Sequence, residues 1–143
     1  MKLITLDFET YYDQGFSLSG LTTEEYIRSP NFQVIGVGVK VNEEDTKWHT
    51  GTKDELKSIL DGYNIQDSAL LCHNMLFDGA ILSFIFNISP KLYLDTLCMA
   101  RALHGVNVGG SLAFLVEKYN LGQKGTEVID AKGKRLEDFS VAE

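Results

Sequence analysis

The segment Lys2–Thr10 (KLITLDFET) most constrains what this chain can fold into. Its apolar, β-type start predicts a strand, and residues two apart in a strand lie on the same face. Asp7 and Glu9 therefore share one face, while Leu6 and Phe8 point to the other face, where they can pack. The pattern predicts a strand that carries two neighbouring acids at its carboxyl end.

Asp7 and Glu9 allow two interpretations. Neighbouring carboxylates repel each other unless a positive charge lies between them, and a hard divalent cation such as Mg²⁺ or Mn²⁺ prefers carboxylate oxygens. Alternatively, both side chains point into solvent at a strand end, where their repulsion is screened. Short acidic patterns are common by chance, so this pair alone leaves both interpretations open.

The composition is that of one globular domain. A chain of 143 residues with 44% hydrophobic and 23% charged residues suits a single core. No run approaches the roughly 20 apolar residues of a membrane span, and the start lacks the features of a signal peptide, so we expect a cytoplasmic protein without a membrane partner. Cys72 and Cys98 form no CxxC pattern and are predicted to be buried small hydrophobes. The net charge of -7 argues mildly against binding nucleic acid by charge alone, but not against holding a phosphodiester through metals.

Capping signals and hydrophobic patterns predict the other elements. Thr22 and Thr52 each begin a Thr-x-x-Glu capping box, and Ser111 can cap a third helix. Gly36 and Gly38 lie on one face of a β-branched run, where we expect another group to approach the backbone closely. The predicted strands are 2–10, 32–41, 46–50, 68–73 and 93–95, and the predicted helices are 24–28, 53–61, 76–86, 96–103 and 111–119.

This order of elements predicts the fold class. Strands that alternate with helices imply parallel pairing, and here they follow an antiparallel hairpin, so we expect a mixed α/β sheet with helices on both faces. Ligands of such sheets lie at the carboxyl ends of the strands, which is where Asp7 and Glu9 stand. No domain linker or internal repeat is visible.

A second acidic position follows the fourth predicted strand. Asn74 lies where that strand ends and a helix begins, which is a natural cap position, and Asp78 falls in the first turn of the helix, where the helix dipole favours a carboxylate. This preference alone can explain Asp78. A carboxylate there can also face Asp7 and Glu9, and three convergent acids are hard to explain without a metal. The helix has an apolar stripe at Phe77, Ala80, Ile81, Phe84 and Ile85.

Three segments resemble a known family. Asp7–Thr10 and Asn74–Asp78 are similar to the first two motifs of the DnaQ-like (DEDD) 3′–5′ exonucleases, and Asp95–Arg101 resembles the segment that follows in those proteins. Thr22–Phe32 and Leu121–Lys134 resemble, more narrowly, the proofreading domain of phage-type family A DNA polymerases. The resemblance covers nearly the whole chain.

The resemblance implies a ribonuclease H-like fold and two-metal hydrolysis of the terminal phosphodiester at a DNA 3′ end. Asp7, Glu9 and Asp78 would bind two divalent ions, Mg²⁺ or Mn²⁺, with Asp7 bridging both. Thr10 and Asn74 would lie against the terminal nucleotide. The implied partners are a single-stranded DNA 3′ end and a polymerase domain of the same longer chain, in a bacterial host cell if the protein is encoded by a phage.

Other polar and aromatic residues are predicted to be structural. Asp95 fits an N-cap of the helix that follows it, and in the related enzymes the aspartate at this place is not a metal ligand. Phe77 belongs to the apolar stripe and is expected in the core rather than under a base. The histidines match no metal-ligand spacing; they are His49, His73 and His104. The late basic residues are expected on a solvated face; they are Lys118, Lys124, Lys132, Lys134 and Arg135.

The chain departs from the family at its third motif. A Tyr or His a few residues before a last aspartate is absent, and Ser140 to Glu143 forms a capping box at the end of the chain. We therefore expect a truncated 1–143 domain with little or no activity. One alternative is a catalytically inactive module that binds DNA ends or a partner protein. Another is a different ribonuclease H-like nuclease, such as a small ribonuclease.

Overall fold

The computed structural model describes residues 1–122 and 132–139, which build one five-stranded sheet with helices packed against it. The sheet order is β3-β2-β1-β4-β5. The strands are β1 (Leu3–Thr10), β2 (Val34–Val41), β3 (Lys47–Thr50), β4 (Ala69–Cys72) and β5 (Leu92–Asp95). The helices are α1 (Thr23–Arg28), α2 (Lys53–Asp61), α3 (Met75–Ala80), α4 (Thr96–His104) and α5 (Leu112–Lys118).

Strand β1 is the centre of the sheet. It pairs with β2 in antiparallel and with β4 in parallel orientation, while β2–β3 is an antiparallel hairpin and β4–β5 is parallel. The predicted mixed α/β sheet is therefore confirmed. The segment with the two acids is the strand around which the other strands are arranged.

One face of β1 forms the core. Ile4, Leu6 and Phe8 are buried, and the intervening residues Asp7 and Glu9 are more exposed, as the period of two predicts. Helices α1, α2 and α3, with the turn that follows α3, contribute side chains to this core. These side chains include Tyr26, Ile27, Leu56, Leu60, Ile81, Leu82 and Phe86.

The predicted caps begin the helices. Thr22 Oγ1 accepts a hydrogen bond from the Glu25 amide at 3.2 Å, and Glu25 Oε2 accepts one from the Thr22 amide at 2.8 Å, which completes a capping box. The Thr52 hydroxyl accepts from the Glu55 amide at 3.3 Å and caps α2, and the Ser111 hydroxyl accepts from the Phe114 amide at 3.2 Å and caps α5. Each such cap is worth about 1 kcal/mol of stability.

The predicted stripe after residue 80 is wrong at Phe84. Residues 81–85 form a π-helix, in which the Phe86 amide donates to the Ile81 carbonyl at 3.3 Å. The wider turn rotates later side chains relative to an α-helix. Phe84 is consequently 75% exposed, while Leu82 and Phe86 are buried, and Phe86 stacks on Phe8 at a centroid distance of 5.6 Å.

The two glycines of β2 differ. A Cβ atom at Gly36 would lie 2.3 Å from a ring carbon of Trp48 and 2.7 Å from the carbonyl oxygen of His49. The nearest atom to a Cβ at Gly38 would be the methyl group of Thr46, at 3.7 Å. The predicted close approach to the backbone is thus found at Gly36 but not at Gly38.

The last described residues lie against the loop that follows β1. The Gly133 amide donates to the Tyr12 carbonyl at 2.7 Å, and the Arg135 guanidinium lies 3.9 Å from the centre of the Tyr11 ring. Lys134 lies 5.4 Å from the centre of the Phe139 ring, so these two basic residues contact aromatic rings. The predictions for Lys124 and for residues 140–143 fall outside the described residues.

None of the helices formed by residues 1–122 and 132–139 is long and apolar enough to cross a membrane. The cytoplasmic location stays a prediction.

Candidate functional site

Asp78 joins α3 to the end of β1. The parallel pairing of β1 with β4 ends at Thr5 opposite Leu71, so the Phe8 amide lies beyond the last of these pairs. Asp78 Oδ1 accepts the hydrogen bond from this amide at 2.9 Å. The Asp78 carboxyl group thus supplies an acceptor to β1 beyond the point where β4 stops pairing with it. This hydrogen bond fixes the orientation of the Asp78 side chain.

The surroundings of Asp78 favour the protonated form of its carboxyl group. Its exposed fraction is 3%. Burial raises the pKa of Asp78 to about 8, the negative charges of Asp7 and Glu9 add to this effect, and the Phe8 amide partly offsets it. A raised carboxyl pKa beside two further acids marks a functional candidate.

The structure brings Asp7, Glu9 and Asp78 to the carboxyl end of β1. Asp7 and Glu9 stand on the more exposed face of β1, on either side of Phe8, whose amide binds Asp78. Both acids act electrostatically on Asp78. The three acids thus lie near one end of β1, and their convergence on a metal ion stays a prediction.

The donor set fits a hard divalent ion. It consists of carboxyl oxygens alone, which Mg²⁺ and Mn²⁺ prefer, and a cation would offset the repulsion from Asp7 and Glu9 that adds to the effect of burial on the pKa of Asp78. Among residues 1–122 and 132–139, however, no three His, Cys, Asp or Glu side chains are gathered closely enough to hold one ion. Binding would therefore have to draw the three carboxylates together, which their mutual repulsion opposes until a cation is present.

Thr10 lies next to Glu9, where the register of β1 against β2 shifts. Its hydroxyl is 2.8 Å from the hydroxyl of Tyr26, a residue of α1 that is 2% exposed. The Tyr26 hydroxyl donates to the Tyr11 carbonyl, so it anchors the end of β1. The sequence gives no signal for this role of Tyr26, because α1 meets β1 through tertiary packing. Contact of Thr10 with a nucleotide stays a prediction.

Asn74 does not cap α3 with its side chain, contrary to the prediction. Its backbone is left-handed, with φ 72° and ψ 66°, and no side-chain cap bond is formed. Asn tolerates this conformation better than most residues. The Asn74 amide instead donates to Asp95 Oδ1 at 3.0 Å. Its proposed contact with the terminal nucleotide stays a prediction.

Asp95 is structural, as predicted, and it serves two helices. It caps its own helix α4 by accepting from the Leu97 amide at 2.9 Å, and it accepts from the Met75 amide of α3 at 3.1 Å. Burial acts to raise the pKa of Asp95, but hydrogen bonds from the Cys98 thiol and the backbone amides outweigh it, and the pKa lies below its ordinary value. Cys98 is exposed, so the prediction that it is buried is wrong, whereas Cys72 is buried.

The remaining predicted structural residues have partners. Phe77 is partly buried and lies 6.0 Å from the Tyr26 ring, which confirms its place at the core. The histidine rings bind hydroxyl groups: His49 binds Tyr63 at 2.5 Å, His73 binds Thr96 at 2.8 Å and His104 binds Tyr119 at 2.5 Å.

Several solved structures share this arrangement of strands and helices. Brucella melitensis NrnC with bound Mg²⁺ matches with a TM-score of 0.61 at 12% identity, over 94% of this chain and 66% of that chain. NrnC bound to pGG matches with a TM-score of 0.62 at 13% identity, over 98% and 61%. Escherichia coli RNase D, an exoribonuclease involved in structured RNA processing, matches with a TM-score of 0.55 at 16% identity, over 98% and 35%.

The fold is ribonuclease H-like. At these identities the likeness establishes the fold alone, and the chain spans about two thirds of the length of NrnC and about one third of that of RNase D. No protein-family model and no curated sequence matches the chain. The narrower resemblance to a polymerase proofreading domain stays a prediction.

Proposed function

We propose that this chain is the metal-binding part of a 3′–5′ exonuclease that hydrolyses the terminal phosphodiester of a nucleic acid strand. The observation that supports this most is the buried Asp78 carboxyl, bonded to β1 between Asp7 and Glu9 at the carboxyl end of the central strand. Ligands of α/β sheets bind at such ends. The fold shared with NrnC, solved with bound Mg²⁺, and with RNase D, described as an exoribonuclease, is consistent with it.

The protein residues have distinct tasks in this proposal. Asp7, Glu9 and Asp78 would hold two divalent ions, Mg²⁺ or Mn²⁺, and Asp78 must lose its proton to do so. When bound, a pair of such ions activates water and stabilises the leaving oxygen of an in-line displacement. Thr10 follows Glu9 directly and Asn74 precedes α3, and we propose that both contact a terminal nucleotide.

We propose a DNA proofreading domain as the specific form of this activity. Its partners would be a single-stranded DNA 3′ end and a polymerase domain of the same longer chain. This assignment rests on the motif resemblance at Asp7–Thr10, Asn74–Asp78 and Thr22–Phe32. Because the third motif is absent, we propose that residues 1–143 cut slowly and that a longer product of the same reading frame cuts faster.

An exoribonuclease is the second candidate. It is favoured by the likeness to RNase D, described as an exoribonuclease, and to NrnC bound to pGG. The two candidates share the acids and differ in the sugar of the substrate, since the 2′-hydroxyl lets a protein distinguish RNA from DNA.

A digestion assay tests the proposal and separates the candidates. Strands of DNA and RNA with one sequence and a 5′ label are incubated with Mg²⁺ or Mn²⁺ and either residues 1–143 or a chain continued by about 40 residues, some two more helices. We expect shortening from the 3′ end that needs metal, is faster with the continued chain and is abolished in Asp7→Ala. Preference for DNA supports the proofreading domain, and preference for RNA supports the ribonuclease.

The proposal fails if the continued chain does not shorten either strand with either metal. Retarded migration of a DNA strand without digestion would then favour the inactive binding module. Full-rate digestion by residues 1–143 that Asp7→Ala abolishes would show that another acid completes the site, with Asp95 the first to examine.

A further inference from the structure

We propose that Asp95 is a positioning residue: by bonding the start of α3 to the start of α4, its carboxylate sets the place of Asp78 against β1. The inference deepens the proposed function, on which it rests for the role of Asp78. Its geometric part concerns hydrogen bonds within the chain and can be tested without metal.

Both oxygens of the Asp95 carboxylate accept hydrogen bonds from the first residues of two helices. Oδ1 accepts from the amides of Asn74 at 3.0 Å and Leu97 at 2.9 Å. Oδ2 accepts from the Met75 amide at 3.1 Å and from the Cys98 thiol at 3.3 Å. An ordinary N-cap serves one helix, whereas this side chain, at the end of β5, joins two helices that follow adjacent strands.

Helix α3 has no cap of its own. Asn74 stands in the left-handed region, and its side chain makes no cap bond to α3. The first amides of a helix have no partner inside it and need acceptors from elsewhere. Here Asp95, 21 residues away from Asn74 in the chain, supplies the acceptors for Asn74 and Met75.

The start of α3 is close to Asp78. The helix spans six residues from Met75 to Ala80, so Asp78 stands one turn after the amides that Asp95 holds. On the other side, Asp78 is held by the Phe8 amide of β1. A helix this short has little rigidity of its own. Without Asp95, we expect the start of α3 to loosen and the bond between Phe8 and Asp78 to weaken.

The test measures amide hydrogen exchange by NMR in the complete chain, without metal. The variants are Asp95→Ala, Asp95→Asn and the control Thr52→Ala, which removes a hydroxyl cap from α2. In Asp95→Ala, we expect the Phe8 amide to exchange on the order of ten times faster, relative to the average protected strand amide. In Thr52→Ala this ratio should not change. Asp95→Asn retains one acceptor oxygen and should lie between the wild type and Asp95→Ala.

Manganese titration of the same variants adds a second readout. We expect Mn²⁺ to bind at least fivefold more weakly to Asp95→Ala than to Thr52→Ala. An unchanged Phe8 ratio in both Asp95 variants would overturn the positioning role, even if the wild type binds Mn²⁺. A changed ratio in a wild type that binds no Mn²⁺ would keep the positioning role and count against the proposed function. If Asp95→Ala does not fold, the Asp95→Asn ratio decides.

Discussion

Asp78 combines three features that rarely occur in one carboxyl group. It is buried, it lies near two other acids, and one of its oxygens is bonded to the backbone of the central strand. A buried carboxylate without a positive partner is costly, so the group takes up a proton instead. Its position in the helix is predictable from the sequence. Its bond to Phe8 is not, because the two residues are 70 positions apart.

The Asp78→Asn variant should melt at a higher temperature than the wild type without metal, and the gap should depend on pH. The folded pKa of about 8 lies above the ordinary 3.8, so the stability from this group is present below about pH 4 and is lost as pH rises through 8. Each pH unit in this window costs at most about 1.4 kcal/mol. Asparagine keeps an acceptor for the Phe8 amide and carries no charge.

Thermal unfolding at pH 4.5, 6 and 8.5 in the presence of a chelator measures this difference. We expect the gap between Asp78→Asn and the wild type to widen from pH 4.5 to 8.5, reaching several degrees. A variant that melts several degrees lower at pH 8.5 would show that the Asp78 charge stabilises the fold, as in a simple helix cap.

At the scale of elements, the sequence predicts the structure correctly where the hydrogen-bond partner lies only a few residues away. The hydroxyl groups of Thr22, Thr52 and Ser111 cap their helices by accepting from amides three residues away, and burial alternates along β1 as its apolar pattern predicts. The pattern failed after α3. The π-helix adds a residue to one turn, and an apolar stripe read at 3.6 residues per turn then points to the wrong side chains.

Two alanine substitutions test this register. Phe86→Ala should destabilise the protein by about 3–5 kcal/mol, because it removes a buried ring that stacks on Phe8. Phe84→Ala should change stability by less than about 0.5 kcal/mol, since its ring is mostly exposed. Urea unfolding measures both. Equal losses at the two positions would contradict the burial of Phe86 and the exposure of Phe84 that the π-helix produces.

At the scale of the whole molecule, the sequence predicts the mixed sheet and the position of Asp7 and Glu9 at the carboxyl end of β1, but it does not predict that β1 is the central strand. It cannot predict which side chains hold these elements together. The hydrogen bonds between Asn74 and Asp95 and between Thr10 and Tyr26 join distant parts of the chain, and no local sequence pattern predicts them. The site therefore depends on tertiary contacts that only the folded chain creates.

The proposed function requires Asp7, Glu9 and Asp78 to bind divalent metal together. The chain carries a net charge of -7, so weak binding of cations to its surface must be separated from binding at this site. Asp54→Asn is a suitable control, because it removes one exposed acid from the first turn of α2.

Calorimetric titration of Mn²⁺ into the wild type, Asp7→Ala, Asp78→Asn and Asp54→Asn measures this binding. We expect weak binding by the wild type that strengthens as pH rises towards 8, because Asp78 must release its proton. Binding should fall at least tenfold in Asp7→Ala and in Asp78→Asn and stay unchanged in Asp54→Asn. Equal binding by the wild type and Asp7→Ala would show that Asp7 is not a metal ligand.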